Sequence, residues 1–216
     1  MSKRKPTKQP TRGPSAPVGR SVQRRGRRTQ PRRWVARAAV GLGLVAAIAV
    51  VIVATASNST QTQAAATGQV APNATFTTTA GRSETVSALR GEPTLLWLVT
   101  TWCSSCQAGT QAMAQEIPTF AAHHVRVVEL EVANDFGQSG PPITEFGSQL
   151  AGAYYNDPDW TWGMASPKLT ATYDPSGYLD IYYLLDRQGR VVYVNSSPGA
   201  TMGQLLAQVA TVGSQA

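Results

Sequence analysis

From Ala38 to Ala56 the chain carries no charged residue, and this 19-residue run of Ala, Val, Ile, Leu, Gly and Thr divides the rest into two parts of opposite charge. Before it stand thirteen Lys and Arg residues, from Lys3 to Arg37, with no acid among them. After it, six basic residues meet all twelve acids, a net charge of −6 hidden inside the whole-chain value of +7. A helix rises about 1.5 Å per residue, so such a run covers about 30 Å, the thickness of a bilayer's hydrocarbon core. Lys and Arg crowded on one flank hold that flank cytoplasmic, and Trp34 suits the headgroup layer. The expectation is a single transmembrane helix over 38–56, with the C-terminal domain outside the cytoplasmic membrane.

Residues 1–37, rich in Pro, Gly, Ser and Arg, read as a basic disordered cytoplasmic tail that suits anionic lipid headgroups. Nothing in them is patterned as a DNA reader, so no nucleic-acid partner is expected. A cleaved signal peptide is the rival to an anchor: Ala54-Thr55-Ala56 fits a small-residue cleavage site, and Arg32-Arg33 is similar to a twin-arginine signal. The apolar run exceeds the usual signal core of about 7 to 15 residues, which favours an uncleaved signal anchor. Either route exports the same domain.

Residues 57–73, mostly Ser, Thr, Gln and Ala, read as a flexible linker, and 74–216 as one domain. Its pattern alternates strand and helix. Ala74 to Thr79 and Thr85 to Leu89 suggest a hairpin around Ala80-Gly81-Arg82, and Thr94 to Thr101 a strand buried on both faces. Ser104 to about His123 reads as a helix broken or kinked at Pro118. Val125 to Val132 is a second buried strand, Ile143 to Tyr155 a helix, and Asn156 to Gly177 loop with a short helix. Asp180 to Asp186 and Arg190 to Asn195 form a hairpin, and Met202 to Val212 a closing helix capped near Thr201. The fold class is α/β, three layers, with a central mixed sheet and an N-terminal hairpin.

The only two cysteines, Cys103 and Cys106, lie three apart in Trp102-Cys103-Ser104-Ser105-Cys106, where the buried strand gives way to the helix. At a helix N-terminus the free N–H groups and the dipole stabilise a thiolate, the form that attacks a disulfide. Cys103 is therefore expected to have a lowered pKa. Cys106, one turn on, is expected to be less exposed and to resolve the mixed disulfide. The two thiols can join without moving the backbone, so the expected redox group is the Cys103–Cys106 disulfide, with no separate cofactor and no metal.

The stretch Gly91-Glu92-Pro93 through Cys106 resembles the membrane-anchored thioredoxin-like proteins of the TlpA/ResA type, as does the Asp186-Arg187-Gln188-Gly189 turn of the later hairpin. The resemblance implies a thioredoxin-like fold from about Ala74 onward and thiol–disulfide oxidoreductase activity outside the cytoplasmic membrane. It also implies reduction rather than oxidation of exported proteins, apocytochrome c as a candidate partner, a membrane or exported redox partner, and Trp102 beside the reactive sulfur. The family pattern is broken in places. Asp180 stands in the register of the usual cis-proline, with Pro175 five residues earlier. Trp97 stands where thioredoxins carry a buried Asp, and Gly109 where some tethered relatives carry a Glu. Asp180 is then either a solvated residue at the start of a strand or the candidate to take part of the missing acid's role close to the thiols, where its charge would also oppose thiolate formation.

Other classes compete. A structural Cys103–Cys106 disulfide closes too small a loop to constrain the unfolded chain much. A copper or other metal carrier would use Cys103, Cys106 and His123 or His124. A peroxidase would use Thr100, three residues before Cys103, but Leu96 stands where its proline would be. A redox-inactive thioredoxin-like binding module is the remaining class. Trp160 and Trp162 are expected to cover the core edge rather than shape a groove, and Tyr178, Tyr182 and Tyr183 to pack on strands.

Overall fold

The structure is a computed structural model that describes residues 64–214. The expected tail, the 38–56 helix and the start of the linker fall outside the described residues. Among the described residues, no helix is long and apolar enough to cross a membrane.

The run Thr-Leu-Leu-Trp-Leu-Val, too apolar to face water on either side, forms β3 (Thr94–Val99), and all six residues are buried. It pairs in parallel with β4 (Arg126–Glu131) and antiparallel with β6 (Asp180–Leu185). Outside β4 lies β5 (Trp160–Ala165), and outside β6 lies β7 (Val191–Ser196). With the hairpin of β1 (Thr75–Thr78) and β2 (Ser83–Thr85) the order is β2-β1-β5-β4-β3-β6-β7, one mixed seven-stranded sheet.

Side chains alternate across a strand, so β3 serves two cores. Leu95, Trp97 and Val99 face α1 (Ser104–Ala122), α2 (Ile143–Ala151) and α4 (Pro198–Gly213), whose Met113, Phe146 and Leu205 complete that cluster. Leu96 and Leu98 face the other layer, with Phe76, Leu130 and Tyr183, closed by Leu169 and Tyr173 of α3 (Pro167–Tyr173). Tyr182 and Tyr183 lie on opposite faces, as expected.

Several elements differ from the sequence expectation. Residues 86–89 are a short 3-10 turn, not strand, because the Thr85 hydroxyl accepts the Ala88 N–H and turns the chain. Helix α1 runs through Pro118, whose missing donor does not end it. The Ile143 helix stops at Ala151, followed by a 3-10 turn at Gly152–Tyr154. Within the expected loop 156–177 lies β5, a full member of the sheet that hydrogen-bonds β1 and β4. The closing helix begins at Pro198, with Ser197 at its cap; Thr201 lies inside it and its hydroxyl bonds the Ser196 and Ser197 carbonyls. Ordered contacts also start before Ala74: Gly68 and Ala71 donate to Val191 and Gly189, and Ala71 is buried.

Candidate functional site

Strand β3 ends at Val99, and four residues later Cys103 stands at the N-terminus of α1, with extended backbone (φ −82°, ψ 125°). Both cysteines are free thiols. Cys103 is 8% exposed and Cys106 fully buried, so only the first can meet a partner's sulfur. Their protonation follows the same division. Burial pushes the Cys103 thiol up, but hydrogen bonds from the Ser105 hydroxyl and from the Cys106 and Ser105 backbone outweigh it, and the net shift is downward. The Ser105 Oγ lies 3.0 Å from Cys103 Sγ. Burial, then the Asp180 charge, pushes the Cys106 thiol far up. Protonated, Cys106 Sγ donates to the Leu179 carbonyl at 2.8 Å.

The turn ahead of Cys103 is clamped from the loop after β4. There Asn134, Asp135 and Phe136 all take left-handed backbone (φ 54°, 47° and 52°), which costs L-residues energy and needs tertiary bonds to hold it. Asp135, almost fully buried, supplies them: Oδ1 accepts Thr101 N–H at 3.0 Å, Oδ2 accepts the Thr101 hydroxyl at 2.6 Å, and its carbonyl accepts Trp102 Nε1 at 3.0 Å. Gly140 closes over the clamp, where a Cβ would sit 2.0 Å from Thr101 Oγ1. Trp102, half-buried, is thus fixed by its indole.

Asp180 opens β6 directly across from Val99, 1% exposed. Trp97 Nε1 donates to its Oδ1 at 2.8 Å, and Oδ2 has no hydrogen-bond partner. Burial raises its pKa, against the Trp97, Ser105 and Ser197 side chains, which favour the ionised form. No cis peptide occurs among the described residues; Leu179, just before Asp180, takes left-handed backbone (φ 66°) instead.

The structure accounts for both departures on the helix side. A Cβ on Gly109 would meet the Trp97 ring at 2.9 Å, so the indole occupies the space that a side chain at 109 would need. The acid absent from both positions reappears on the neighbouring strand. Glu129 of β4 lies across from Trp97, is fully buried, and accepts the Thr110 hydroxyl at 2.8 Å, while Thr110 also bonds the Cys106 carbonyl. Its Oε2 has no partner, nor has Trp160 Nε1. Burial holds Glu129 well above the usual carboxylate range, reinforced by the Asp180 charge. Sequence reasoning missed Glu129 and Asp135. The available signals were an acid inside an otherwise apolar strand, and Asn-Asp, a pair that tolerates left-handed backbone.

The competing site residues are not brought together. His123 and His124 follow the last residue of α1, 17 and 18 residues beyond Cys106, which at about 1.5 Å per residue puts them about 25 Å from the thiols. Thr100 reaches Cys106, 3.9 Å from its sulfur, rather than Cys103. Trp160 and Trp162 are both 3% exposed and stack at 4.5 Å inside the core. Tyr178, expected to pack on a strand, precedes β6 and is 64% exposed.

The fold and the placement of the cysteine pair define a thioredoxin-like α/β domain. The model of the AhpC/TSA family matches residues 67–146. Among solved structures, the chain is similar to a candidate protein disulfide isomerase from Bacteroides thetaiotaomicron, with 19% identity, a TM-score of 0.55, and coverage of 68% of this chain and 90% of that one. A candidate thiol:disulfide interchange protein DsbE from Chlorobium tepidum gives 19% identity and a TM-score of 0.51, over 68% of this chain and 99% of that one. A peroxiredoxin-like protein from Aquifex aeolicus gives 16% and 0.50, over 69% and 88%. At such identities the likeness is one of fold. No curated protein matches the sequence.

Proposed function

We propose that the chain is a thiol–disulfide oxidoreductase of exported proteins, held at the cytoplasmic membrane by residues 38–56 and acting outside it as a reductant. The observation that carries this function is the division between the thiols: Cys103 at a helix N-terminus, 8% exposed with the Ser105 hydroxyl 3.0 Å from its sulfur, and Cys106 fully buried beneath it, where burial pushes its thiol up. In the reaction the Cys103 thiolate attacks a partner's disulfide, forming a mixed disulfide and releasing one partner sulfur as thiolate. Cys106 then gives up its proton and attacks Cys103 Sγ. The second partner sulfur leaves, so the partner gains two electrons and the Cys103–Cys106 disulfide forms. Asp180, buried against this pair, is the carboxyl placed to take the Cys106 proton. Exported proteins with disulfides are the substrate class, with apocytochrome c a candidate by family resemblance. A membrane or exported dithiol would return the pair to its reduced form.

The test is turnover of a protein disulfide by the purified full chain with a dithiol reductant, together with the reduction potential of the pair. Catalysis that disappears in Cys103→Ser, at a potential near about −300 mV, is the expected result. A potential near about −120 mV would reverse the direction to oxidant. No turnover with either thiol state would leave a binding module, and stoichiometric copper uptake a metal carrier.

A further inference from the structure

We propose that Asp174 is a positioning residue for the exchange reaction proposed above, on which this inference rests: it fixes the Leu179 carbonyl on Cys106 and thereby favours the dithiol form of the pair over the disulfide. Asp174 caps the C-terminus of α3 and is 2% exposed, at the base of a loop in which Pro175, Ser176, Gly177 and Tyr178 are all exposed. A carboxyl buried this far needs partners for both oxygens, and neither salt bridge of the described residues involves it. Its partners are two backbone groups of its own loop. Oδ1 accepts the Tyr178 N–H at 2.7 Å and Oδ2 the Leu179 N–H at 3.2 Å. Leu179 is thereby held in left-handed backbone (φ 66°), a conformation a leucine rarely adopts without such bonds. In that conformation its carbonyl accepts the Cys106 S–H at 2.8 Å, while the Thr100 N–H donates to the same oxygen at 3.2 Å. From carboxylate to sulfur, the path is one hydrogen bond, the backbone of one residue and a second hydrogen bond.

The carbonyl distinguishes the two redox states because only one of them has a proton to offer. When an external dithiol reduces the pair, the Cys103–Cys106 S–S bond breaks and two electrons and two protons arrive. The dithiol closes to its own disulfide, and Cys106 regains the S–H that the carbonyl accepts. When the pair is oxidised that proton leaves, and the Leu179 carbonyl keeps only the Thr100 N–H. The contact therefore stabilises the dithiol alone. It opposes a Cys106 thiolate for the same reason, since a hydrogen bond made by the neutral form disfavours the charged one. The other groups facing Cys106 are Cys103 of its own helix, Thr100 ahead of that helix and Asp180 of β6. None of them is a backbone carbonyl positioned by a loop, so Asp174 controls a contact that the rest of the site does not duplicate. The pair is thereby a weaker reductant than it would be with the loop released.

Two measurements on the full chain test this, and neither needs a protein substrate, so both stand even if the chain turns over none. In reduced Cys103→Ser, where Cys106 is the one thiol left, the infrared S–H stretch reports its acceptor. Asp174→Ala in that background is expected to move the band to higher frequency, and Asp174→Asn, which keeps one acceptor oxygen, to move it less. An unmoved band in both would overturn the positioning. Equilibration of the two-cysteine chain with reduced and oxidised dithiothreitol then reads the pair. Asp174→Ala is expected to favour the disulfide about fivefold more than wild type does, a potential lower by about 20 mV, with Asp174→Asn between the two. A residue that merely braced the loop would destabilise dithiol and disulfide forms alike and leave this ratio where it was, because only a differential interaction shifts an equilibrium. An unchanged ratio, or a shift toward the dithiol, would overturn the proposal. Should Asp174→Ala not fold, Asp174→Asn decides by the same two readouts, with shifts of the same sign expected.

Discussion

The two faces of β3 bury different chemistry beneath the same strand. On one face Leu96 and Leu98 meet Phe76, Val128, Leu130 and Ile181, a layer built almost wholly from apolar side chains. On the other, Trp97 lies between Tyr182 and Glu129, and Val99 between Asp180 and Glu131. The same strand, with the same burial, supports an apolar core on one side and three carboxyls on the other. Charge buried without a counter-ion costs stability, and a fold can avoid that cost with apolar residues of similar size, as the opposite face does. Of the strands flanking β3, only the face toward α1 carries these carboxyls; the other layer's buried carboxyl, Asp174, stands off the strands at the end of α3.

The largest effect expected from this division is on the apolar face. Leu98→Ala empties a fully buried site and should destabilise the domain by about 2–5 kcal/mol in denaturant unfolding, with the pH midpoint of Cys103 alkylation unmoved. A shifted midpoint would mean that the two faces are coupled and the division is false. Glu129→Gln tests the other face, with a smaller effect of the opposite sign. Glu129 binds its proton more tightly folded than unfolded, so its contribution is fully present below its ordinary pKa and lost as pH rises through the raised one. A glutamine needs no proton, can donate to Thr110 while Thr110 donates to the Cys106 carbonyl, and can turn its oxygen toward Trp160 Nε1. The variant should be more stable than wild type by about 2 kcal/mol at pH 8 and equal to it at pH 4. A loss at pH 8 would show that the ionised acid is already well accommodated.

The division was half legible in the sequence. A continuous apolar run identifies β3, and two cysteines at its junction with a helix identify the reacting atoms, because both signals are local. Asp180 could be placed beside them by counting back from the Asp186 turn, since a hairpin fixes register. Strand β5 was hidden because Trp160-Thr161-Trp162-Gly163-Met164-Ala165 has a glycine where a strand normally packs a side chain. The structure explains that glycine: a Cβ on Gly163 would meet the Thr77 carbonyl of β1 at 2.5 Å. Glu129 was missed for a related reason. Nothing local says that the partner across the sheet from Trp97 is an acid, and parallel pairing of β3 with β4 is a long-range fact. The Asp135 clamp depends on three left-handed residues, one of them a phenylalanine, a conformation that only tertiary hydrogen bonds select.

Glu131 sharpens the comparison from within the polar face, because it lies two residues beyond Glu129 on the same side of β4 but only half-buried. Burial first, then the charge of Asp135, pushes its pKa up to about 7, against the Ile143 N–H at the start of α2. A raised acid favours the fold below its unfolded pKa and loses that contribution as pH rises through the folded value. Glu131 should therefore lower stability progressively between about pH 4.5 and pH 7. Glu131→Gln should remove that part of the slope, with a difference above pH 7 of no more than about 1 kcal/mol, because solvent screens a half-exposed carboxyl. Salt separates the two acids. Raising ionic strength weakens the repulsion between Glu131 and Asp135 and should shrink the Glu131→Gln difference, whereas the Glu129→Gln difference, set by burial, should persist. Urea unfolding across pH at low and high salt measures both. A Glu131→Gln difference as resistant to salt as that of Glu129→Gln would place both acids in the same dry layer and extend the polar face to the edge of α2.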